Sequence, residues 1–168
     1  LTDSWTYRGT VNTDPKKSHT IYAGAEGEER AQRTYTYKYA GDAIKTTTVF
    51  TYTADVLTSS VTTKLEDGTV KKSETIYMGA EGEEKAQKTY AYNAAVSVIK
   101  TTTTFEYALD TLTKSYTYKD KDGTVMKSET FYQGNEGEEK AQKTWNYSAD
   151  GSVVKTTTLF TYTADVLT

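Results

Sequence analysis

Aromatic and polar residues alternate in short segments along the whole chain. Rings recur at every second position in Tyr35-Thr36-Tyr37, Tyr90-Ala91-Tyr92, Tyr116-Thr117-Tyr118, Trp145-Asn146-Tyr147 and Phe160-Thr161-Tyr162. Successive strand residues point to opposite sides of a sheet, so a period of two predicts β-strands carrying two rings on one face. Turn-forming residues bound the segments. In the last third of the chain, segments 112–120, 124–133, 140–148 and 153–163 run to Asp122-Gly123, Gly134-Asn135-Glu136-Gly137, Asp150-Gly151 and Ala164-Asp165. Asp-Gly between β-rich runs predicts a type I′ hairpin turn, in which both central residues take positive φ. The loop following Gly134 carries Glu138-Glu139-Lys140-Ala141-Gln142, a helix-favouring string too short to hold a helix unaided.

The four-segment pattern occurs three times. Ala25-Glu26-Gly27-Glu28-Glu29-Arg30-Ala31-Gln32 returns 55 residues on, from Ala80 to Gln87, and again from Asn135 to Gln142. Lys45-Thr46-Thr47-Thr48 returns at Lys100 and Lys155, and Phe50 to Thr58 returns letter for letter from Phe160 to Thr168. Internal repetition of this kind defines an array of supersecondary units. The repeats span 1–56, 57–111 and 112–168, with about four strands each and about twelve in the chain. The first is a variant end unit. It has one extra residue between Val11 and Lys16, the single Pro15 and the single His19. Terminal repeats are often atypical. In the second repeat Ala94-Ala95-Val96-Ser97 replaces the Asp-Gly turn, and Val96 resists positive φ, so that turn differs in type or length.

The paired rings Tyr35, Tyr37, Tyr90, Tyr92, Tyr116, Tyr118, Trp145 and Tyr147 are expected on one aromatic face. Together with fourth-strand rings such as Phe160 and Tyr162, they would form a ladder across the sheet. A core packed against a second layer is the general expectation, because large apolar surfaces are seldom left open. An exposed platform for sugars or other flat ligands is the alternative. The triplets Thr46-Thr47-Thr48 and Thr156-Thr157-Thr158 point to both faces. No regular threonine array of the ice-binding kind is therefore expected, and these residues read as solvated strand surface, open to O-glycosylation in a secreted protein.

Composition narrows the function. The chain of 168 residues has a net charge of −3, which gives no electrostatic reason to expect nucleic acid or an anionic membrane as partner. No apolar run is long enough to span a bilayer. The sequence begins at Leu1 without Met, which suggests a removed leader or upstream segment. Fifteen Tyr residues and abundant Thr favour strands. Cys is absent and His19 stands alone, so thiolate chemistry, a repeated His-based triad and the usual zinc or copper sites are not expected. No cofactor and no enzymatic activity are predicted. The weak metal candidates are Glu28, Glu29, Glu83, Glu84, Glu138 and Glu139, whose clustered carboxylates suit Ca²⁺ but match no established calcium loop. A solvated turn is the simpler reading. Gln32, Gln87 and Gln142, each followed by Arg or Lys and then Thr, suit either side-chain amide crosslinks or plain polar strand surface.

Tyr116-Thr117-Tyr118-Lys119-Asp120-Lys121-Asp122-Gly123-Thr124-Val125 and Trp145-Asn146-Tyr147-Ser148-Ala149-Asp150-Gly151-Ser152-Val153 resemble the YD repeats of Rhs-type and teneurin shell proteins. The resemblance covers about a third of each repeat. Lys119 and Ser148 replace the family's acidic residue after the Tyr, and the 55-residue period is not the family's short one. The resemblance implies an array of β-hairpins on a secreted or surface protein.

The sequence therefore predicts an all-β tandem hairpin array, arranged as an elongated sheet, a sandwich or a solenoid. Its expected role is structural and extracellular or at the cell surface, in a fibre, stalk or surface layer. Self-association is expected head to tail, through Leu1, Trp5 and Tyr7 of one molecule and Phe160, Tyr162 and Leu167 of the next. The alternative is an adhesin that binds a glycan on the aromatic face.

Overall fold

The computed structural model describes residues 1–66, 68–93 and 98–163, and the backbone of residues 166–167. It is all β, with no helix among these residues. The strands are β1 Asp3–Tyr7, β2 Lys16–Ala23, β3 Arg30–Tyr37, β4 Ile44–Thr53, β5 Val56–Lys64, β6 Val70–Met78, β7 Lys85–Tyr92, β8 Ile99–Ala108, β9 Thr111–Tyr118, β10 Met126–Gln133, β11 Lys140–Tyr147 and β12 Val154–Leu159. A short pair, β13 Tyr162–Thr163 and β14 Val166–Leu167, follows. The first twelve form one open sheet in sequence order, and each pairing whose register is described is antiparallel. β13 and β14 make a separate two-stranded hairpin. Of the architectures the sequence allows, the single sheet of consecutive hairpins is the one found. By backbone contacts the chain forms two compact units. One comprises Leu1–Lys85 and Tyr92–Val98, and the other Ala86–Ala91 and Ile99–Thr168.

The turns depart from expectation. Asp122 and Asp150 keep ordinary φ, and only the glycines after them are left-handed, Gly123 at φ 74° and Gly151 at 79°. Carboxylates organise these turns. Asp120 accepts from the N–H groups of Asp122, Thr124 and Val125 at 3.0, 3.0 and 2.7 Å. Asp150 accepts from the hydroxyls of Ser148 and Ser152 and from the Ser152 N–H. Among the described residues, the two-residue turns with positive φ at both positions are Ala54-Asp55 (46° and 71°) and Leu109-Asp110 (46° and 69°), which contain no glycine. Each joins its strands as the I′ geometry requires, with Thr53 facing Val56 and Ala108 facing Thr111. The acidic loop closes by an ordinary turn, the Glu28 N–H donating to Ala25 O at 3.0 Å, with no helix. The unusual turn expected at 94–97 lies outside the described residues.

Within the twelve-stranded sheet every pairing whose register is described carries a bulge, whereas the β13–β14 hairpin has none. Ile21 faces Arg33 but Tyr22 faces Ala31, so Gln32 is an extra residue. Lys17, Lys45, Thr58 and Lys72 are extra in the same way in the first unit, and Thr113, Lys127, Gln142 and Lys155 in the second. Such bulges bend a strand and increase its twist. The amides of Gln32 and Gln142 donate to the carbonyls of Arg30 and Lys140, both at 3.2 Å. These side chains are thus engaged within their own bulges.

The core differs from the general expectation. No hydrophobic residue is buried among the described residues; the buried side chains are Thr47, Ser60, Thr63, Thr102, Ser115 and Glu129. Among the described residues, no second layer covers the sheet within either unit. Cohesion comes from the ladders, cross-strand pairs and side chains that reach over neighbouring strands.

Candidate functional site

Register divides the side chains between two faces. In the first unit Ser4, Thr20, Thr34, Thr48, Thr62 and Ser73 face one another in turn across six strands. Thr20 and Thr34 share a hydroxyl hydrogen bond of 2.9 Å, and Thr48 and Thr62 one of 2.8 Å. The second unit has the same construction, with hydroxyl bonds Thr103–Thr117 (3.0 Å) and Thr130–Thr144 (2.9 Å). The expectation that no regular threonine array forms is therefore overturned, because cross-strand register assembles rows that the spacing along each strand conceals. The hydroxyls of these four threonine pairs are bonded to each other.

The hydroxyl face also holds the fourth-strand rings, which is a second correction. Phe50 faces Ser60 and Phe105 faces Ser115, in rows of threonine and serine, whereas Tyr35 faces Thr47 and Tyr116 faces Thr104 on the opposite side. Tyrosines on this face tie down neighbouring strands. The hydroxyls of Tyr52, Tyr107 and Tyr162 donate to the carbonyls of Ala31, Ala86 and Ala141 at 2.9, 2.9 and 2.8 Å. Tyr22, Tyr77 and Tyr132 bond Ser4, Ser60 and Ser115 at 3.2, 3.1 and 3.1 Å.

The other face carries the eight paired rings, all half-buried. They do not make a continuous ladder. In the second unit Tyr116 faces Glu129, and Glu129 faces Trp145, so a carboxylate separates the rings. Glu129 pairs with Lys114 at 3.3 Å and accepts from Tyr147 Oη at 3.3 Å. Burial, then the Glu129 charge, holds the Tyr147 hydroxyl above its ordinary range, and the Glu129 contact raises Lys114. In the first unit Glu74 occupies the same repeat position. It accepts from Tyr92 Oη at 2.7 Å and from Lys71 Nζ at 3.0 Å, which together hold its carboxyl below the usual range.

His19 takes this carboxylate position in the variant first repeat. Its ring stacks on Trp5 with centroids 3.7 Å apart and planes 4° from parallel, and lies 5.9 Å from Tyr35. Lys16 sits 4.7 Å from the Trp5 ring and 5.7 Å from Tyr37. His19 Nε2 is buried without a hydrogen-bond partner. Here alone, among the described residues, ring follows ring across three strands. Lysines lie over rings elsewhere too: Lys143 is 4.1 Å from Trp145 and 4.3 Å from Phe131, and Phe131 meets Trp145 edge-on at 4.8 Å.

The acidic loops are not simple solvated turns. Glu28, Glu83 and Glu138 are exposed, while Glu29, Glu84 and Glu139 are half-buried and reach over to the start of a strand. Glu84 accepts from the Leu57 N–H and Glu139 from the Leu112 N–H, each at 2.9 Å, and Glu29 binds the Leu1 amino group at 2.5 Å. Glu29 and Glu84 also accept from the Gly27 and Gly82 N–H groups, both at 3.0 Å. These donors lower the Glu84 pKa, the Leu57 N–H first. Arg30 adds a clamp, pairing with Asp55 at 2.7 Å and with Glu81. The described residues contain no group of three or more His, Cys, Asp or Glu arranged to hold a metal ion.

Of the expected assembly residues, Leu1 (67% exposed) and Trp5 (40%) are open to solvent, while Tyr7, Phe160 and Tyr162 are half-buried. The Leu167 side chain lies outside the described residues. The sequence reading missed the Glu cap, although its signal was present: the second Glu of the loop recurs with the opening Leu in every repeat.

No family model matches the sequence, and no curated protein matches it. A crystal structure of a protein of unknown function from Bacteroides fragilis aligns with 94% of this chain and 92% of its own, at 14% identity and a TM-score of 0.24. At that score the likeness carries no argument about function.

Proposed function

We propose that this chain is a structural repeat protein acting outside the cell or at its surface, where head-to-tail β-strand association extends a fibre, stalk or surface layer. The observation that carries this reading is the open pair of edges. β1 and β12 each have one neighbour in the sheet, and both bear repeat sequence that elsewhere lies between two strands. Unpaired strand edges are templates for further pairing, and a heterologous contact that does not close propagates into a filament. The absence of a buried apolar core among the described residues fits a scaffold whose units are held by their sequence neighbours. The resemblance to YD repeats supports a secreted or surface setting.

Sedimentation velocity and electron microscopy over rising protein concentration test the proposal. Assemblies that lengthen with concentration are expected, and a strictly monomeric chain at high concentration would refute it. The half-buried rings with lysines above them, Trp145 and Phe131 beneath Lys143, favour one second reading, an adhesin that binds an anionic glycan. A saturable change in tryptophan fluorescence with such a glycan, without assembly, would select it.

A further inference from the structure

The internal junctions between repeats specify how a second molecule would dock. At the first, Thr47, Thr48, Val49 and Phe50 of β4 face Thr63, Thr62, Val61 and Ser60 of β5. In the second unit Thr102, Thr103, Thr104 and Phe105 of β8 face Tyr118, Thr117, Tyr116 and Ser115 of β9 in the same register. The equivalent residues are Thr157, Thr158 and Leu159 of β12 with Phe160 just beyond it, and on β1 they are Tyr7, Thr6, Trp5 and Ser4. β12 lies at the edge of the sheet with β11 as its neighbour, and β1 lies at the edge with β2.

We infer that the β12 edge receives β1 of a second copy in this register: Thr157 opposite Tyr7, Thr158 opposite Thr6, Leu159 opposite Trp5 and Phe160 opposite Ser4. The inference deepens the head-to-tail reading above and rests on it. Two features of the surfaces support the match. Leu159 is 72% exposed and Trp5 40% exposed, and this register sets them against each other, as Val49 is set against Val61. Apolar cross-strand pairs of this kind stabilise a sheet. Thr158 and Thr6 would then extend the hydroxyl rows, as Thr48–Thr62 does at 2.8 Å and Thr103–Thr117 at 3.0 Å.

The same equivalence sets a boundary to the contact. Tyr162 faces Leu167 in the β13–β14 hairpin, as Tyr52 faces Leu57 and Tyr107 faces Leu112. Leu167 therefore occupies the repeat position of Leu1. The incoming strand pairs from Ser4 through Tyr7, and Leu1 competes with the receiving copy's Leu167 for one place.

Because the natural chain has no Cys, disulfide trapping tests the register. T6C/T158C is compared with T6C/T156C, which is two residues out of step on the same face, under mild oxidation and on non-reducing gels. Covalent dimers and higher multiples are expected about tenfold faster from the in-register pair, because a two-residue step along a strand is roughly 7 Å and exceeds disulfide reach. Equal rates, or a disulfide confined to the monomer, would overturn the register. Sedimentation of the unmodified chain separates the two levels. Assembly without selective crosslinking leaves the architectural reading standing and removes this inference, whereas a monomer at every concentration removes both.

Discussion

Gly79 and Gly82 stand three residues apart in one acidic loop and should respond very differently to alanine. Gly79 has φ +138°, and a Cβ there would lie 2.5 Å from the Glu83 carbonyl oxygen. Gly82 has φ +81°, and a Cβ there meets nothing within 4 Å. Alanine at Gly82 must enter the left-handed region, at a cost of about 1 kcal/mol. Alanine at Gly79 adds backbone strain in a region nearly exclusive to glycine and a clash with rigid backbone. Together these cost about 4 kcal/mol, a large share of the ~5–15 kcal/mol that holds an ordinary domain. The distortion also falls where Glu84 caps Leu57. Urea titrations of G79A and G82A followed by far-UV circular dichroism measure the difference. Gly134 and Gly137 repeat the contrast in the second unit, at φ +142° with 2.7 Å to Glu138 O and φ +78° with open space. Equal losses from G79A and G82A, or a smaller loss from G79A, would refute the reasoning.

Four further outcomes are expected. Glu84→Gln lowers the thermal midpoint and Glu83→Gln leaves it unchanged, because Glu84 holds the Leu57 and Gly82 N–H groups; equal effects in a calorimeter would contradict the cap. Asp150 is held down from 3.8 to about 2, chiefly by the Ser148 and Ser152 hydroxyls. With the folded pKa depressed, its contribution is complete above the unfolded value and is lost as pH falls toward the folded one. Asp150→Asn should therefore flatten the acid limb of the stability profile between those values, and an unaltered limb would count against it. Trp145→Ala should cost about 1.5 kcal/mol, the scale of an aromatic pair and a cation–π contact rather than of a filled core; a loss near 4 kcal/mol in urea titration would indicate a buried ring. Because the threonine hydroxyls bond each other in pairs, no thermal hysteresis is expected on ice, and hysteresis abolished by Thr34→Val with Thr48→Val would show that the rows bind it.

Strand identity was legible in the sequence because local signals set it. Alternation of rings and polar residues, β-branched threonines and turn residues at a 55-residue period give the twelve strands and their order, since short hairpins leave each strand only its neighbours to pair with. What lies opposite each residue was settled by the tertiary structure, because cross-strand partners depend on register, and one extra residue in a bulge moves side chains relative to the next strand. Register puts Phe50 and Phe105 among the hydroxyls, assembles Thr20, Thr34, Thr48 and Thr62 into a row, and places Glu129 between Tyr116 and Trp145. It also brings Glu84 to the amide of Leu57, a contact between residues 27 apart in the chain.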